Sequence, residues 1–313
     1  NNFVAYKIDK NGVDVSNPVF SNINYFPRDR RGYLKVSPDG TKVAIADFEA
    51  SIGIPFDTGL GTAVLFDFDT KTGKVSNSNE IILLDPEKDG SPYGVEFSQY
   101  YSKLYISTYD GTNNNVFQFD LTSSDISNSK YLIHEQIGFR GGLQLASNGK
   151  IYATVPISYT EGTTHLDVIE NPDDEAEDVT YIEDAVHLGG NLATQGLPPF
   201  IQSFFKVALI DIDTGEKISG EFLVCIGDTK TLGINNITDF DDTADLTKPI
   251  KYEWFRDNTL LTGETTSKIT VGNPPRETNG IYTLKATYFN NCGRERNLEA
   301  VAEVRFEPKP SIN

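Results

Sequence analysis

The chain has 313 residues, 38% hydrophobic and 11% aromatic, which is a globular composition with room for one large all-β domain or two domains. Its net charge of −18 opposes nucleic-acid phosphates and anionic lipid, so cationic ions or neutral glycans suit it better as ligands. No run approaches the roughly 18 to 20 apolar residues of a membrane helix; the most apolar stretches, 81–84 and 204–210, are strand-sized.

Methionine is absent and no basic-then-apolar leader opens the chain, so the expectation is a processed or excised piece of a longer protein. The first element is a hairpin pattern, "AYKIDKNGVDVSN" (5–17), which aligns without gaps on "LFDFDTKTGKVSN" (65–77) and "VFQFDLTSSDISN" (116–128). Asp9, Asp69 and Asp120 share one position, suited to stabilising a turn. Tyr6, Phe66 and Phe117, with Ile8, Phe68 and Phe119 two residues later, alternate onto one strand face.

Between these copies lies a second hairpin pattern, at 33–47, 93–108 and 141–155. "PDG" and "SNG" supply its turns in two copies, whereas the middle copy carries "SQYY" (98–101). Hairpin plus hairpin at a period of 50 to 60 residues, by the spacing of the three aspartates, predicts the four-stranded blades of a β-propeller, with 165–174 starting the outer part of the last. An open meander or a sandwich is the alternative. About four blades are visible, few for a closed ring, so 5–17 reads as the outer half of a blade whose inner half lies upstream. Closure of residues 3–9 against 199–210 is the competing reading.

His134, His165 and His187 have no ligand-spaced partner and read as strand or loop residues. Hydrolase elbows, zincin motifs and phosphate loops are missing, and "NPDDEAED" (171–178) is expected to be a mobile, like-charged surface loop. The pattern breaks at "GLPPFIQSFFKV", where Pro198 and Pro199 are unsuited to a central strand. The domains expected are therefore 1–204, the propeller, and 205–313, a β-sandwich.

In the second part Trp254 stands where an immunoglobulin-like domain buries its strand-C tryptophan, Tyr282 where the tyrosine corner falls, and Leu284 where antibody domains carry a cysteine. A Cys225–Cys292 disulfide is expected, yet those positions fall at opposite ends of a standard sandwich, so free thiols or a shifted strand remain open. "DFDDTAD" offers Asp239, Asp241, Asp242 and Asp245 as hard oxygen ligands, making calcium the one candidate cofactor; a solvated acidic loop is the competing reading.

In order, "RGYLKVSPDGTKVAIAD", "LFDFDTKTGKVSN", "YGVEFS", "KLYIST", "LQLASNGKIYAT", "LDVIENP" and "GLPPFIQSFF" resemble the propeller of secreted surface proteins of Bacteroidota exported by the type IX secretion system. "CIGDTKTL", "YEWFRDN" and "GIYTLKATYFNNCG" are similar to the immunoglobulin-like or PKD-like module that follows it there. The resemblance implies a secreted, cell-surface, non-enzymatic module. It would act in adhesion, gliding motility or surface assembly by contacting surface protein, glycan, or the secretion and motility machinery. The alternatives are a propeller hydrolase, lactonase-like or glycan-cleaving, with an acidic channel site, and a structural stalk.

Overall fold

The computed structural model describes residues 3–9, 12–23, 25, 31–48, 61–84, 88–200, 207–218, 221–239, 244–272, 278–291, 293 and 295–309. The chain divides into two compact units, Asn1–Phe205 and Lys206–Asn313. No helix among the described residues is long and apolar enough to cross a membrane.

In the first unit β1 (Phe3–Ala5) pairs antiparallel with β4 (Val19–Ser21), and between them β2 (Ile8–Asp9) and β3 (Gly12–Val13) form a small hairpin. Three four-stranded antiparallel sheets follow, each with its strands in sequence order. The first holds β5 (Leu34–Val36), β6 (Lys42–Asp47), β7 (Gly61–Asp69) and β8 (Lys74–Leu84). The second holds β9 (Ser91–Phe97), β10 (Lys103–Tyr109), β11 (Asn113–Asp120) and β12 (Tyr131–Ile137). The third holds β13 (Leu143–Leu145), β14 (Ile151–Ala153), β15 (His165–Ile169) and β16 (Tyr181–His187).

Strand alternation explains how these sheets stack. On β6, Val43 and Ile45 face one way and pack with Phe66 against Phe3 and Tyr25. Ala44 and Ala46 face the other way and pack against Val95, Phe97 and Leu104 of the second sheet. That sheet's opposite face sets Tyr105 and Val116 on Leu143, Leu145 and Ile151 of the third. Both faces of a sheet are thus buried, each large side chain contributing about 1.5–3 kcal/mol, as in a propeller-like stack of blades.

The repeats are real, but two copies depart from the gapless alignment. In the first, Tyr6 and Ile8 are exposed rather than buried like Phe66 and Phe117, because among the described residues β2 and β3 pair only with each other and join no larger sheet. Asp9 ends β2 there. In the third, residues after Asp120 make turns and a 3-10 turn (Ser127–Ser129), so the return strand begins only at Tyr131. Asp69 and Asp120 do close their turns: Asp69 accepts from the Lys71 and Thr72 N–H groups, Asp120 from that of Thr122.

The acidic run 171–178 is likewise anchored rather than loose. Lys103 reaches Glu175 at 2.9 Å, Tyr105 Oη donates to the Pro172 carbonyl at 2.9 Å, and Gln118 Nε2 donates to that of Asp174 at 3.0 Å. Its like charges are tolerated because a lysine and neighbouring donors face them.

The second unit has one four-stranded sheet in the order β19 (Glu216–Lys217), β18 (Ile210–Asp211), β21 (Lys230–Gly233), β24 (Lys268–Val271). Its other sheet runs β23 (Thr259–Leu260), β22 (Lys251–Arg256), β25 (Gly280–Phe289), β26 (Glu295–Glu307), with β17 (Val207–Ala208) and β20 (Glu221–Cys225) both parallel to β26. Trp254 and Leu284 are fully buried, and the indole Nε1 donates to the Thr266 carbonyl at 2.9 Å. Tyr282, also fully buried, donates its hydroxyl to the Thr278 carbonyl four residues back at 3.2 Å.

Loss of that last bond is measurable. Tyr282→Phe keeps the ring and removes only the donor, so urea unfolding is expected to show a loss of about 0.5–1.5 kcal/mol; an unchanged midpoint would mean that the hydroxyl anchors nothing.

Candidate functional site

The three first strands, β5, β9 and β13, carry the same pattern of apolar, polar, apolar: Leu34-Lys35-Val36, Val95-Glu96-Phe97 and Leu143-Gln144-Leu145. Their middle residues meet. Lys35 Nζ lies 2.9 Å from Glu96 Oε2 and 2.6 Å from Gln144 Oε1, and Glu96 also accepts the Leu145 and Phe97 N–H groups at 2.9 Å. Gln144 Nε2 turns to the Leu145 carbonyl. All three side chains are buried, Glu96 completely.

At the N-terminal ends of the same strands stands a cluster of arginines and aromatics. The Arg140 guanidinium, 5% exposed, lies 4.7 Å from the Phe48 ring centre, 5.0 Å from those of Tyr93 and Phe139 and 6.0 Å from that of Tyr159. Its Nε donates to Gln195 Oε1 at 2.6 Å. Arg31 approaches the same Phe48 ring at 5.0 Å, and the Tyr33 ring lies tilted against that of Tyr93 at 5.6 Å. Gly142 permits this closeness, since a Cβ there would stand 2.2 Å from the Tyr33 hydroxyl. Burial pushes the phenols of Tyr33 and Tyr93 upward, so both stay protonated donors at neutral pH.

Beside this mouth, between the second and third sheets, a cavity of about 290 Å³ is lined by Phe139, Tyr109, Gln136, Asp167 and Asp184. Asp167 is buried and accepts from Gln136 Nε2 at 2.5 Å, Tyr181 Oη at 2.8 Å and the Asp184 N–H at 2.8 Å. Burial, then the charge of Asp167, holds the Tyr181 phenol far above its ordinary range. The histidines lie nearby, on β12, β15 and β16. His134 stacks on Tyr181 at 4.1 Å, with Nε2 3.0 Å from Glu183 Oε1 but outside hydrogen-bonding geometry, and His165 faces His187 at 4.8 Å.

The expected calcium loop assembles no ligand set among the described residues, where no group of three or more His, Cys, Asp or Glu could hold a metal. Asp239 accepts from the Asn236 N–H at 3.2 Å and Asp245 from the Thr247 N–H and hydroxyl, so each serves its own turn. The Thr247 hydroxyl holds the Asp245 carboxyl below the usual carboxylate range. Asp241 and Asp242 lie outside the described residues. Cys225 is a free, half-buried thiol, while Cys292, and with it the expected pairing, lies outside the described residues.

Neither a protein-family model nor a curated protein matches the chain. Among solved structures it is similar to a periplasmic gluconolactonase of Pseudomonas aeruginosa, at 13% identity over 97% of this chain and 80% of that one, with a TM-score of 0.38. It is also similar to a protein of Bacteroides uniformis assigned provisionally as a 6-phosphogluconolactonase, at 12% identity and a TM-score of 0.35, covering 95% of this chain and 64% of that one. A third is a gluconolactonase of Xanthomonas campestris, at 15% identity over 57% of each chain, with a TM-score of 0.30. The chain thus spans under two-thirds of the length of two of the three.

The proteins matched are named as lactonases, a finding that runs against the expected non-catalytic adhesion or gliding module and with the hydrolase alternative. At these TM-scores the likenesses carry no argument for this chain, and the catalytic reading below stands on the arginine mouth itself.

Sequence reading passed over Lys35, Glu96, Gln144, Arg31 and Arg140. The available signal was the polar residue at one aligned position of three apolar strands. Removing one partner of the buried pair strands the other charge, so Lys35→Met is expected to cost about 3–5 kcal/mol in urea unfolding, and Lys35→Met with Glu96→Leu much less. A single substitution no costlier than the double one would show that the pair does not couple.

Proposed function

We propose that the first unit is a hydrolase of small ring esters, with its site at the mouth formed by Arg31, Tyr33, Tyr93 and Arg140. The observation that carries this reading is the buried Arg140 guanidinium held among aromatic rings. A guanidinium has five N–H donors in a rigid plane, and one of Arg140's goes to Gln195. In low-dielectric surroundings such donors stabilise the negative charge that develops on a lactone carbonyl oxygen as water attacks its carbon.

The chemistry needed is modest. Water adds to the carbonyl carbon, the ring C–O bond breaks, a proton reaches the departing ring oxygen, and the product is the open hydroxy acid. Tyr93, protonated at neutral pH, supplies a further donor for substrate hydroxyls, Tyr33 Oη donates to the Gln195 carbonyl at 3.5 Å and accepts the Leu197 N–H at 3.3 Å, and Gln195 fixes the guanidinium plane. Glucono-1,5-lactone is the substrate to try first.

The second unit is best read as immunoglobulin-like, supported by buried Trp254 on β22 and by the Tyr282 hydroxyl bonded back to residue 278 on the neighbouring turn. The phrases shared with type IX-exported surface proteins support a location outside the cytoplasm.

Two outcomes are expected. In a pH-stat assay the protein speeds acid release from glucono-1,5-lactone, and Arg140→Ala lowers kcat/KM about 100-fold or more, with Arg140→Lys restoring only part because it lacks the planar fork. No acceleration over buffer on this lactone and a set of γ- and δ-lactones would overturn the proposal. For location, protease added to intact host cells is expected to digest the protein; digestion only after lysis would place it inside.

A further inference from the structure

A cavity of about 570 Å³ in the first unit lies between the first and second sheets at the turn ends of their strands, away from the arginine mouth. Nothing in the lactone reading uses it. We propose that it is a second, non-catalytic binding cleft for a neutral, hydroxyl-rich ring, a mono- or disaccharide, and that Tyr101 is kept in a strained turn to serve it.

The turn comparison is the first support. Gly40, Tyr101 and Gly149 hold equivalent places after the first strands of the three sheets, each donating its N–H to the carbonyl three residues back, of Ser37, Ser98 and Ala146. All three have positive φ, at 75°, 50° and 78°. Glycine takes that conformation at no steric cost, whereas a bulky residue there is a true outlier. Tyr101 is 39% exposed and lines the cavity beside Tyr100, so the ring gains little by burial in return. Strain of this kind collects at functional sites.

A second irregularity aims at the same space. The register between β7 and β8 shifts at Leu65/Asp67, and Asn77 opposite has φ 44°. Bulges of this sort re-aim side chains. Here Asp67 and Asn77 both line the cavity, with Asn77 Nδ2 3.2 Å from Asp67 Oδ2 and Lys42 Nζ 2.6 Å from Asp67 Oδ1. Of the five non-glycine residues with positive φ among the described ones, Asp257 and Asn258 make a hairpin turn, and two of the remaining three line this one cleft.

The lining chemistry fixes the ligand class. Lys42 and Asp67 cancel in charge, which favours a neutral ligand. The hydrogen bond from Lys42, then that from Asn77, holds the Asp67 carboxyl below its usual range, so it stays an acceptor for hydroxyl donors. Asn77 adds an amide, the hydroxyl oxygens of Thr122 and Ser123, whose protons go to Asp120 and the Asp125 carbonyl, add acceptors, and the two tyrosines line the cavity with rings suited to sugar C–H groups. A volume of this size matches a small-molecule site.

The test uses the whole chain with cellobiose, maltose and lactose as probes, read by saturation-transfer NMR and titration calorimetry, with thermal melting alongside. Wild type is expected to bind at least one disaccharide. Tyr101→Gly, which restores the residue of the sister turns, is expected to bind it about tenfold more weakly or not at all while melting a few degrees higher. Asp67→Asn, which leaves the turn alone, is expected to weaken binding as well. Failure of all three sugars to bind, unchanged affinity in Tyr101→Gly, or a lower melting temperature in that variant would each overturn the proposal. Lactone hydrolysis is read separately at the other end of the strands, so either conclusion can fail alone.

Discussion

A single buried carboxylate links the first strands of three successive sheets. Glu96, wholly withdrawn from solvent, accepts from Lys35 of the first sheet and from the Leu145 main chain of the third. Desolvating two charges costs nearly as much as their attraction returns, so the pair is weak as a source of net stability. Its consequence is positional. An ion pair that is tolerable only when every partner is in place fixes how β5, β9 and β13 stand relative to one another, and so fixes the ring of residues at their N-terminal ends. The apolar layers between sheets allow some sliding; a charge that must find two partners does not.

The two ends of the strands then differ in character. At one end, glycines at 141 and 142 let the main chain and Tyr33 come close, and Arg140 is enclosed by rings that exclude water. Such enclosure raises the worth of each donor, the condition under which electrophilic activation of a carbonyl is effective. At the other end the turns that elsewhere use glycine admit a tyrosine, and a bulge turns an aspartate toward the gap between sheets. Rigid sheets carry irregular ends, and chemistry collects where the irregularities are.

The histidines show how proximity differs from a site. His134, His165 and His187 come from three strands, yet His134 stacks on Tyr181 while His165 and His187 meet edge to face. Sequence spacing gave no reason to unite them. Cross-strand pairing of β15 with β16, which sets His165 opposite His187, does so.

What the sequence determined by itself is the local and periodic part. Alternation of apolar residues set the strands, Gly40, Gly149 and the turn aspartates Asp69 and Asp120 set the reversals, and the recurrence of hairpin pairs announced stacked four-stranded sheets. These follow from steric preferences acting over a few residues. The exposed hairpin at Ile8 and Val13 was not legible, because its pattern matches a buried one and only the lack of a covering sheet distinguishes them. Tertiary structure alone decided which of 45 acids mattered. Lys35 stands 61 residues from Glu96 and 109 from Gln144 along the chain, and Arg140 meets Phe48 and Tyr93 only when sheets stack. Side chains converge through packing between distant segments, and no local preference encodes which distant face will arrive.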